Sequence, residues 1–330
     1  MTEKLILVTG GAGFIGSNII RMLNVRGLRN IIVVDDLRDG KKATNLSGLD
    51  IFDYIDYTDL FTELSKPSGN YSKSIECIFH QGACTDTTEW DGKYMMDVNY
   101  TYSKNLLDWA QDHQIHFIYA SSASVYGTGN SFIEHRDYEF PINIYAYSKF
   151  LFDEYVRGKI KSKDSRESNI IGLRYFNVYG FGESHKVHMT SPIHHFYHQL
   201  INSGTIKLFE GSGGYKDGEQ RRDYIFIDDV VKVNLWFYDN LASEVSGIFN
   251  TGTGVSETFN TIASKIIDYF GSGSIEYIDF PEKLIGSYQS NTQADITALR
   301  ECGYEESFIN LKEGITLYIK QLEEERKKKL

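Results

Sequence analysis

Three side chains in this sequence could together take a proton from an alcohol oxygen and return it: Ser122, Tyr145 and Lys149. Tyr145 and Lys149 lie four residues apart in Ile144 to Val156, a run with helical character, and that spacing puts both on one helix face. A phenol with a pKa near 10 is a poor base at neutral pH and must come down by about three units. A cation about 4 Å away supplies on the order of 4 kcal/mol at an effective dielectric of 20, close to those three units. Positive charge, Lys149 first, is therefore expected to make Tyr145 a general base against the opposing pull of burial. Ser122 closes the apolar run Phe117 to Ser121 and offers a hydroxyl to the same oxygen. Taken singly, Tyr145 and Lys149 fit a surface pair, and Ser122 fits a turn at a strand end.

Such chemistry needs a hydride acceptor, and the N-terminus provides for one. The apolar run Leu5 to Thr9 leads into Gly10-Gly11-Ala12-Gly13-Phe14-Ile15-Gly16 and then an apolar helix, Ser17 to Leu23. Glycines there allow a tight turn, close approach to a pyrophosphate and close packing of helix on strand, while the helix start offers amide donors. About 20 residues on, the second apolar run ends at Asp35, placed to bind an adenosine ribose. That residue favours NAD, whereas Arg38, Lys41 and Lys42 just after it suit a 2′-phosphate and so NADP; the three also suit a solvated charged turn. An oxidised nicotinamide ring would add the second positive charge beside Tyr145, and Lys149 would also hold its ribose.

The elements that must position these groups alternate in type. Short apolar or β-branched runs recur at Leu5 to Thr9, Ile31 to Asp35, Cys77 to His80, Phe117 to Ser121 and Ile170 to Tyr175, with helix-like stretches between them. That alternation predicts an α/β fold with a Rossmann-like, doubly wound parallel sheet. Gly180 to Arg222 breaks the rhythm; it returns with a strand at Tyr224 to Ile227, a helix at Asp228 to Asn240 and a strand at Gly247 to Asn250. A smaller α/β substrate-binding lobe is thus expected to interleave with the sheet. Residues 1–178 and 223–252 are assigned to an NADP-binding domain and 179–222 and 253–330 to the lobe.

Composition narrows the function class. With 330 residues, 41% hydrophobic content and a formal charge of -11, the chain can fill two cores and has no electrostatic footprint for nucleic acid. No run reaches the roughly 20 apolar residues needed to cross a bilayer, and Met-Thr-Glu-Lys opens without a signal-peptide layout, so a cytoplasmic location is expected. Cys77, Cys84 and Cys302 are odd in number and scattered, which outlines neither a disulfide framework nor a metal site. His185, His188, His194, His195 and His198 are dense, but no carboxylate or cysteine completes a ligand set. No metal is expected, and one or two of these imidazoles are assigned to a substrate phosphate.

The glycine loop, Ser121-Ser122-Ala123-Ser124-Val125-Tyr126-Gly127, Tyr145 to Lys149, and Arg174-Tyr175-Phe176-Asn177-Val178-Tyr179-Gly180 resemble the extended short-chain dehydrogenase/reductase superfamily of nucleotide-sugar enzymes. Gly82-Ala83-Cys84, Thr87 to Asp97 and Phe209-Glu210-Gly211-Ser212 narrow the resemblance to its ADP-glycero-manno-heptose 6-epimerases, and it covers essentially the whole chain. The resemblance implies a homo-oligomer such as a pentamer that inverts C6″ of an ADP-heptose with tightly held NADP (NAD being the alternative) and supplies lipopolysaccharide inner-core precursors. It implies that Gly10, Gly13, Phe14, Ile15, Gly16, Asp35, Asp36, Lys42, Gln81, Gly82, Ala83, Cys84, Thr85, Asn99, Tyr145, Lys149 and Val178 meet the cofactor. Ser122, Asn177, Lys186, His188, His195, Phe209, Glu210, Gly211, Ser212, Arg222 and Tyr288 would meet the sugar nucleotide. Inversion through a ketone needs the proton handled from two positions, and the family gives the second to the residue at Lys186; a phosphate-binding lysine is the alternative there. Tyr57 and Val98 depart from the family pattern, which has a lysine and an asparagine at those positions, and the loop Gly213 to Arg221 is longer. The rivals are a hexose 4-epimerase relying on Tyr145 alone, a 4,6-dehydratase, whose acid pair is missing at Ala123 and Ser124, and a non-catalytic NADP-binding sensor.

Overall fold

The computed structural model describes residues 4–66, 71–162, 168–282 and 288–329. Its chain forms two compact units, each assembled from separate stretches of sequence. The first comprises Met1–Val125, Asn143–Arg174 and Val231–Phe249; the second comprises Tyr126–Ile142, Tyr175–Val230 and Asn250–Leu330.

The first unit is built on a seven-stranded sheet. Its strands are β1 (Leu5–Thr9), β2 (Ile31–Asp35), β3 (Asp53–Asp56), β4 (Ile75–His80), β5 (His116–Ser122), β6 (Ile170–Tyr175) and, arriving last in the chain, β10 (Gly247–Thr251). Their spatial order is β10-β6-β5-β4-β1-β2-β3, a Rossmann-type order in which the chain reverses direction of travel between β1 and β4. The pairs β1 with β2, β1 with β4, β2 with β3 and β4 with β5 are all parallel. All five residues of β2 and all six of β6 are buried, as expected where both faces of a parallel sheet are covered. Leu7, Ile32, Val34, Phe117, Tyr119 and Phe152 belong to one buried cluster on this sheet. Each such side chain stabilises the fold by roughly 1.5–3 kcal/mol relative to exposure.

The second unit carries smaller sheets. Strand β9 (Arg221–Phe226) pairs in parallel with β7 (Asn177–Tyr179) and antiparallel with β11 (Ser256–Thr258), while β8 (Thr205–Phe209) pairs in parallel with β12 (Ser274–Ile278). Its helices Pro192–Ser203 and Phe259–Phe270 are capped alike, by Ser191 and Thr258 side chains at the start and by left-handed Gly204 and Gly271 at the end.

The unit boundaries differ from the expected ones at four places. Tyr126–Ile142 and the stretches 175–178, 223–230 and 250–252 belong to the second unit. The reason for Val178 is its pairing: Asn177, Val178 and Tyr179 register with Tyr224, Ile225 and Phe226 of β9. No helix among the described residues is long and apolar enough to cross a membrane.

Candidate active site

In the first unit β1 ends in a turn that only glycine can make. Gly10 has φ +64°, and a Cβ there would lie 2.6 Å from the backbone nitrogen of Gly82, so the loops after β1 and β4 meet backbone to backbone. A Cβ on Gly16 would sit 2.2 Å from the Gly10 carbonyl oxygen, which brings the helix Phe14–Val25 tight against the turn. Gly13 caps that helix with no side-chain hydrogen bond, the usual start of an anion-binding helix. These features fit a dinucleotide diphosphate.

At the end of β2 the Asp35 carboxylate is buried and already engaged. Oδ2 accepts the Ala12 N–H (2.8 Å), and Oδ1 accepts the Asp36 N–H (2.7 Å) and the Lys42 ammonium (3.0 Å). It therefore latches the glycine loop. Asp36 is gripped by the Arg38 guanidinium, with Nε donating at 2.8 Å, and those hydrogen bonds and that charge hold its carboxyl below the usual range. A cavity of about 120 Å³ gathers Gly10, Asp35, Asp36, Lys42, Gly82, Ala83 and Cys84 of the expected cofactor residues. Tyr57 and Val98, where the sequence departs from the family, line it too, as do Thr9, Tyr94 and Tyr102, which sequence reasoning did not single out. Gln81 follows β4 and reaches Asn234, while Thr85 is exposed in the loop beyond. Asn99 is fully buried beneath the loop. Its Oδ1 accepts the Cys84 N–H (2.8 Å) and its Nδ2 donates to the Cys84 carbonyl (2.9 Å), so it holds the cavity floor in place.

Beside this floor stands the proposed redox centre. The helix Ile144–Lys161 is started by the Asn143 side chain, which accepts the Ala146 N–H (2.8 Å), and it carries Tyr145, Lys149 and Asp153 at successive turns. Tyr145 is hydrogen-bonded to the Ser122 side chain at the end of β5. Lys149 is 4% exposed and donates to the Ala120 carbonyl (2.9 Å) on the same strand. Asp153, fully buried, anchors the helix: it accepts Tyr119 Oη (2.9 Å), Ser121 Oγ (2.9 Å) and Arg174 Nε (2.9 Å) from β5 and β6.

The electrostatics correct one expectation. Burial raises the Tyr145 phenol above its ordinary value, and the Ser122 hydrogen bond opposes it only in part; Lys149 is not among the causes that lower it. Burial also draws Lys149 down to about 8, with the Asp153 charge pulling the other way. The ammonium is spent on a carbonyl of β5, so in the protein alone desolvation outweighs the cation.

The second unit holds the other expected residues. A cavity of about 450 Å³ is walled by Asn177, His195, Phe209, Arg222 and Tyr288. The Arg222 guanidinium lies 4.7 Å from the Tyr288 ring centroid and 5.9 Å from that of Phe259, and it is 7% exposed. His195 is oriented by Thr190 Oγ1 at 3.0 Å. Gln199, Lys207, Gln220, Tyr224, Phe259 and Ile278 are among the other residues of the wall and carry no local sequence signal. Glu210, Gly211 and Ser212 continue from Phe209 outside the wall; Gly211 is tied to Asp217 Oδ1 (2.8 Å).

Lys186 sits in the turn Ser184–Met189, where burial lowers its pKa and Glu183 opposes. The turn is fixed by buried Glu183, which accepts Ser191 Oγ (2.7 Å) and the Gly180 N–H (3.2 Å). Val187 next to it has φ +50° and ψ −96°, a strained conformation for a β-branched residue, and His188 beyond is exposed. Among the described residues no group of three or more His, Cys, Asp or Glu side chains could hold a metal ion.

Residues 6–252 match the model of the NAD dependent epimerase/dehydratase family. The chain is 51% identical, over 315 residues and 96% of each protein, to ADP-L-glycero-D-manno-heptose-6-epimerase from Alkalilimnicola ehrlichii. In structure it resembles the Helicobacter pylori ADP-L-glycero-D-manno-heptose-6-epimerase, with a TM-score of 0.82 and 30% identity over 97% of this chain and 96% of that one. It also resembles the Thermotoga maritima UDP-glucose 4-epimerase solved with UDP-glucose, with a TM-score of 0.76 and 26% identity over 97% and 99%. A glycine-walled cradle at the switch of a Rossmann-type sheet, together with a family match over three quarters of the sequence, makes this chain a member of the NAD-dependent epimerase/dehydratase family.

Proposed function

We propose that the chain interconverts ADP-D-glycero-D-manno-heptose and ADP-L-glycero-D-manno-heptose by transient oxidation at C6″, a step toward lipopolysaccharide inner-core precursors. The observation that carries the reading is the Tyr145–Ser122 hydroxyl pair, set beside Lys149 in a chain 51% identical to a heptose 6-epimerase. The bound cofactor would accept a hydride from C6″ and give it back. We take it to be NADP, because Lys42 lines the cavity with Asp35 and Asp36 and, after donating to the Asp35 carboxylate and the Asp36 carbonyl, keeps one ammonium hydrogen for a 2′-phosphate.

Tyr145 takes the proton from the C6″ hydroxyl, and Ser122 hydrogen-bonds the same oxygen. Desolvation holds the phenol up in the protein alone, and the positive charge of an oxidised nicotinamide, when bound, would favour the phenolate. Lys186 serves the inverted configuration. Burial brings its ammonium toward neutrality, the direction an acid/base at neutral pH requires. Arg222 offers a rigid fork to the sugar-nucleotide pyrophosphate and Tyr288 a ring that stacks. Tyr145→Phe and Lys186→Met, each assayed with either epimer as substrate, test this. Both should lose about 10²–10⁴ in rate. Full activity of Lys186→Met in both directions refutes the two-base scheme and leaves the single-tyrosine chemistry of a hexose 4-epimerase. Native mass spectrometry reads the retained dinucleotide and the size of the homo-oligomer we infer.

A further inference from the structure

A line of hydrogen bonds beneath the dinucleotide cavity has only one consistent direction. Ser148 Oγ donates to the Tyr145 carbonyl (2.7 Å), so its single hydrogen is used, and it must accept from Asn99 Nδ2 (3.1 Å). That sets the Asn99 amide, whose Oδ1 accepts the Cys84 N–H and whose Nδ2 also reaches the Cys84 carbonyl and Met95 Sδ (3.0 Å). The Asn99 main-chain carbonyl, which can only accept, takes the hydrogen of Ser103 Oγ (2.7 Å), and this uses the one Ser103 hydrogen. Ser103 Oγ lies 2.7 Å from His80 Nε2 and can only accept there, so Nε2 carries a proton. His80 is 2% exposed, and burial together with the Lys149 charge holds its pKa down to about 3, so the ring is neutral and Nδ1 is a bare acceptor. Thr9 Oγ1, 2.7 Å from Nδ1, must then donate to it, which leaves a lone pair for the Gly82 N–H at 3.1 Å. The hydroxyl hydrogens of Thr9, Ser103 and Ser148 and the imidazole hydrogen of His80 are thereby assigned.

The two ends of this line are the backbone that forms the cavity and the backbone of Tyr145. Gly82 is the residue against which Gly10 packs with no room for a Cβ, and Thr9 is the last residue of β1. His80 ends β4, so one imidazole braces the mouths of the two strands that flank the switch point. We propose that His80 is a positioning residue of the dinucleotide site, a neutral Nε2–H imidazole that sets the spacing of the Gly10 and Gly82 loops and, through Ser103, Asn99 and Ser148, the setting of Tyr145. This rests on the dinucleotide reading for its functional consequence, whereas the tautomer follows from the hydrogen bonds alone.

Two measurements on the full-length protein test it. The ¹⁵N spectrum of ring-labelled wild type, assigned by loss of one resonance pair in His80→Gln, should show a neutral ring protonated at Nε2 at pH 7; a proton on Nδ1, or a charged ring, overturns the assignment. Binding of NADP⁺ and NAD⁺ is then measured for wild type, His80→Phe and His80→Gln. His80→Phe removes both partners and should weaken dinucleotide binding about ten- to hundredfold, with kcat reduced and KM for the sugar nucleotide little changed. His80→Gln can still donate toward Ser103 and should recover part of the loss. A lower melting temperature with wild-type dinucleotide affinity in both variants would make His80 an ordinary core residue and overturn its role. Should His80→Phe fail to fold, His80→Gln and the wild-type spectrum decide. A wild type that binds neither dinucleotide refutes the cofactor reading separately, because the tautomer is read without it.

Discussion

Replacing Asp153 by alanine removes the carboxylate that ties the Tyr145 helix to β5 and β6, and its cost follows from the burial of its partner. The side chains of Asp153 and Arg174 are both 0% exposed, with guanidinium nitrogens 2.8 and 2.9 Å from one carboxylate oxygen. Without the carboxylate the buried guanidinium loses the charge it is paired with, which costs about 3–5 kcal/mol, and Tyr119 and Ser121 lose their acceptor as well. Against a typical total of about 5–15 kcal/mol, that is roughly a fifth or more of the fold's stability. Urea unfolding should show the midpoint falling with the slope unchanged. A loss below about 1 kcal/mol would refute the assignment of Asp153 as anchor. Asp153→Asn adds an electrostatic readout. The Asp153 charge is the first influence opposing burial at Lys149, so its removal should carry the lysine further below about 8, followed by NMR titration of the ammonium. An unmoved Lys149 titration would show that Asp153 acts through packing alone.

Gly16→Ala puts a methyl group 2.2 Å from the Gly10 carbonyl and should abolish tight dinucleotide binding, whereas Gly40→Ala, with nothing within 4 Å, should bind as wild type; equal affinities would contradict the cradle. Arg222→Ala should raise the sugar-nucleotide KM about 10- to 100-fold, the range of a charge-assisted hydrogen bond, while the dinucleotide stays bound; an unchanged KM removes Arg222 from the pyrophosphate. His80 predicts an acid-labile fold. Its folded pKa of about 3 lies below the ordinary 6.5, so the unfolded chain binds the proton first. The stability this ring contributes is complete above pH 6.5 and is lost as pH falls toward 3, up to on the order of 4–5 kcal/mol. His80→Gln should flatten that part of the stability–pH curve, and an identical slope would mean that the ring titrates normally.

Local spacing made much of the first unit legible. Leu5–Thr9, Ile31–Asp35 and Ile170–Tyr175 were read with their observed ends, because a strand covered on both faces is a continuous apolar run bounded by turn residues. The short strands Asp53–Asp56 and Ser274–Ile278 were not read. They are partly exposed and mix charge with apolar residues, so nothing local distinguishes them from loops. The strand expected at Tyr224 to Ile227 begins earlier, at Arg221, because Arg221 and Arg222 pair with Thr258 and Glu257 far along the chain. The site divides the same way. Gly10, Asp35, Tyr145 and Lys149 follow from spacing within one turn or one βαβ unit. His80, Ser103, Ser148 and Asp153 act through partners 21 to 71 residues away in sequence, and no single-segment pattern records that.

The Asp35 latch bears on any attempt to redesign coenzyme preference. An acidic residue at the end of the second strand is the obvious target for exchange, yet here the same carboxylate keeps the glycine turn closed through Ala12 and restrains Lys42. Swapping it would unfasten the diphosphate seat before any discrimination between ribose and phosphate could be gained. Selectivity in this scaffold is better retuned at Tyr57, whose side chain lines the same cavity while the latch runs through Asp35, Ala12 and Lys42.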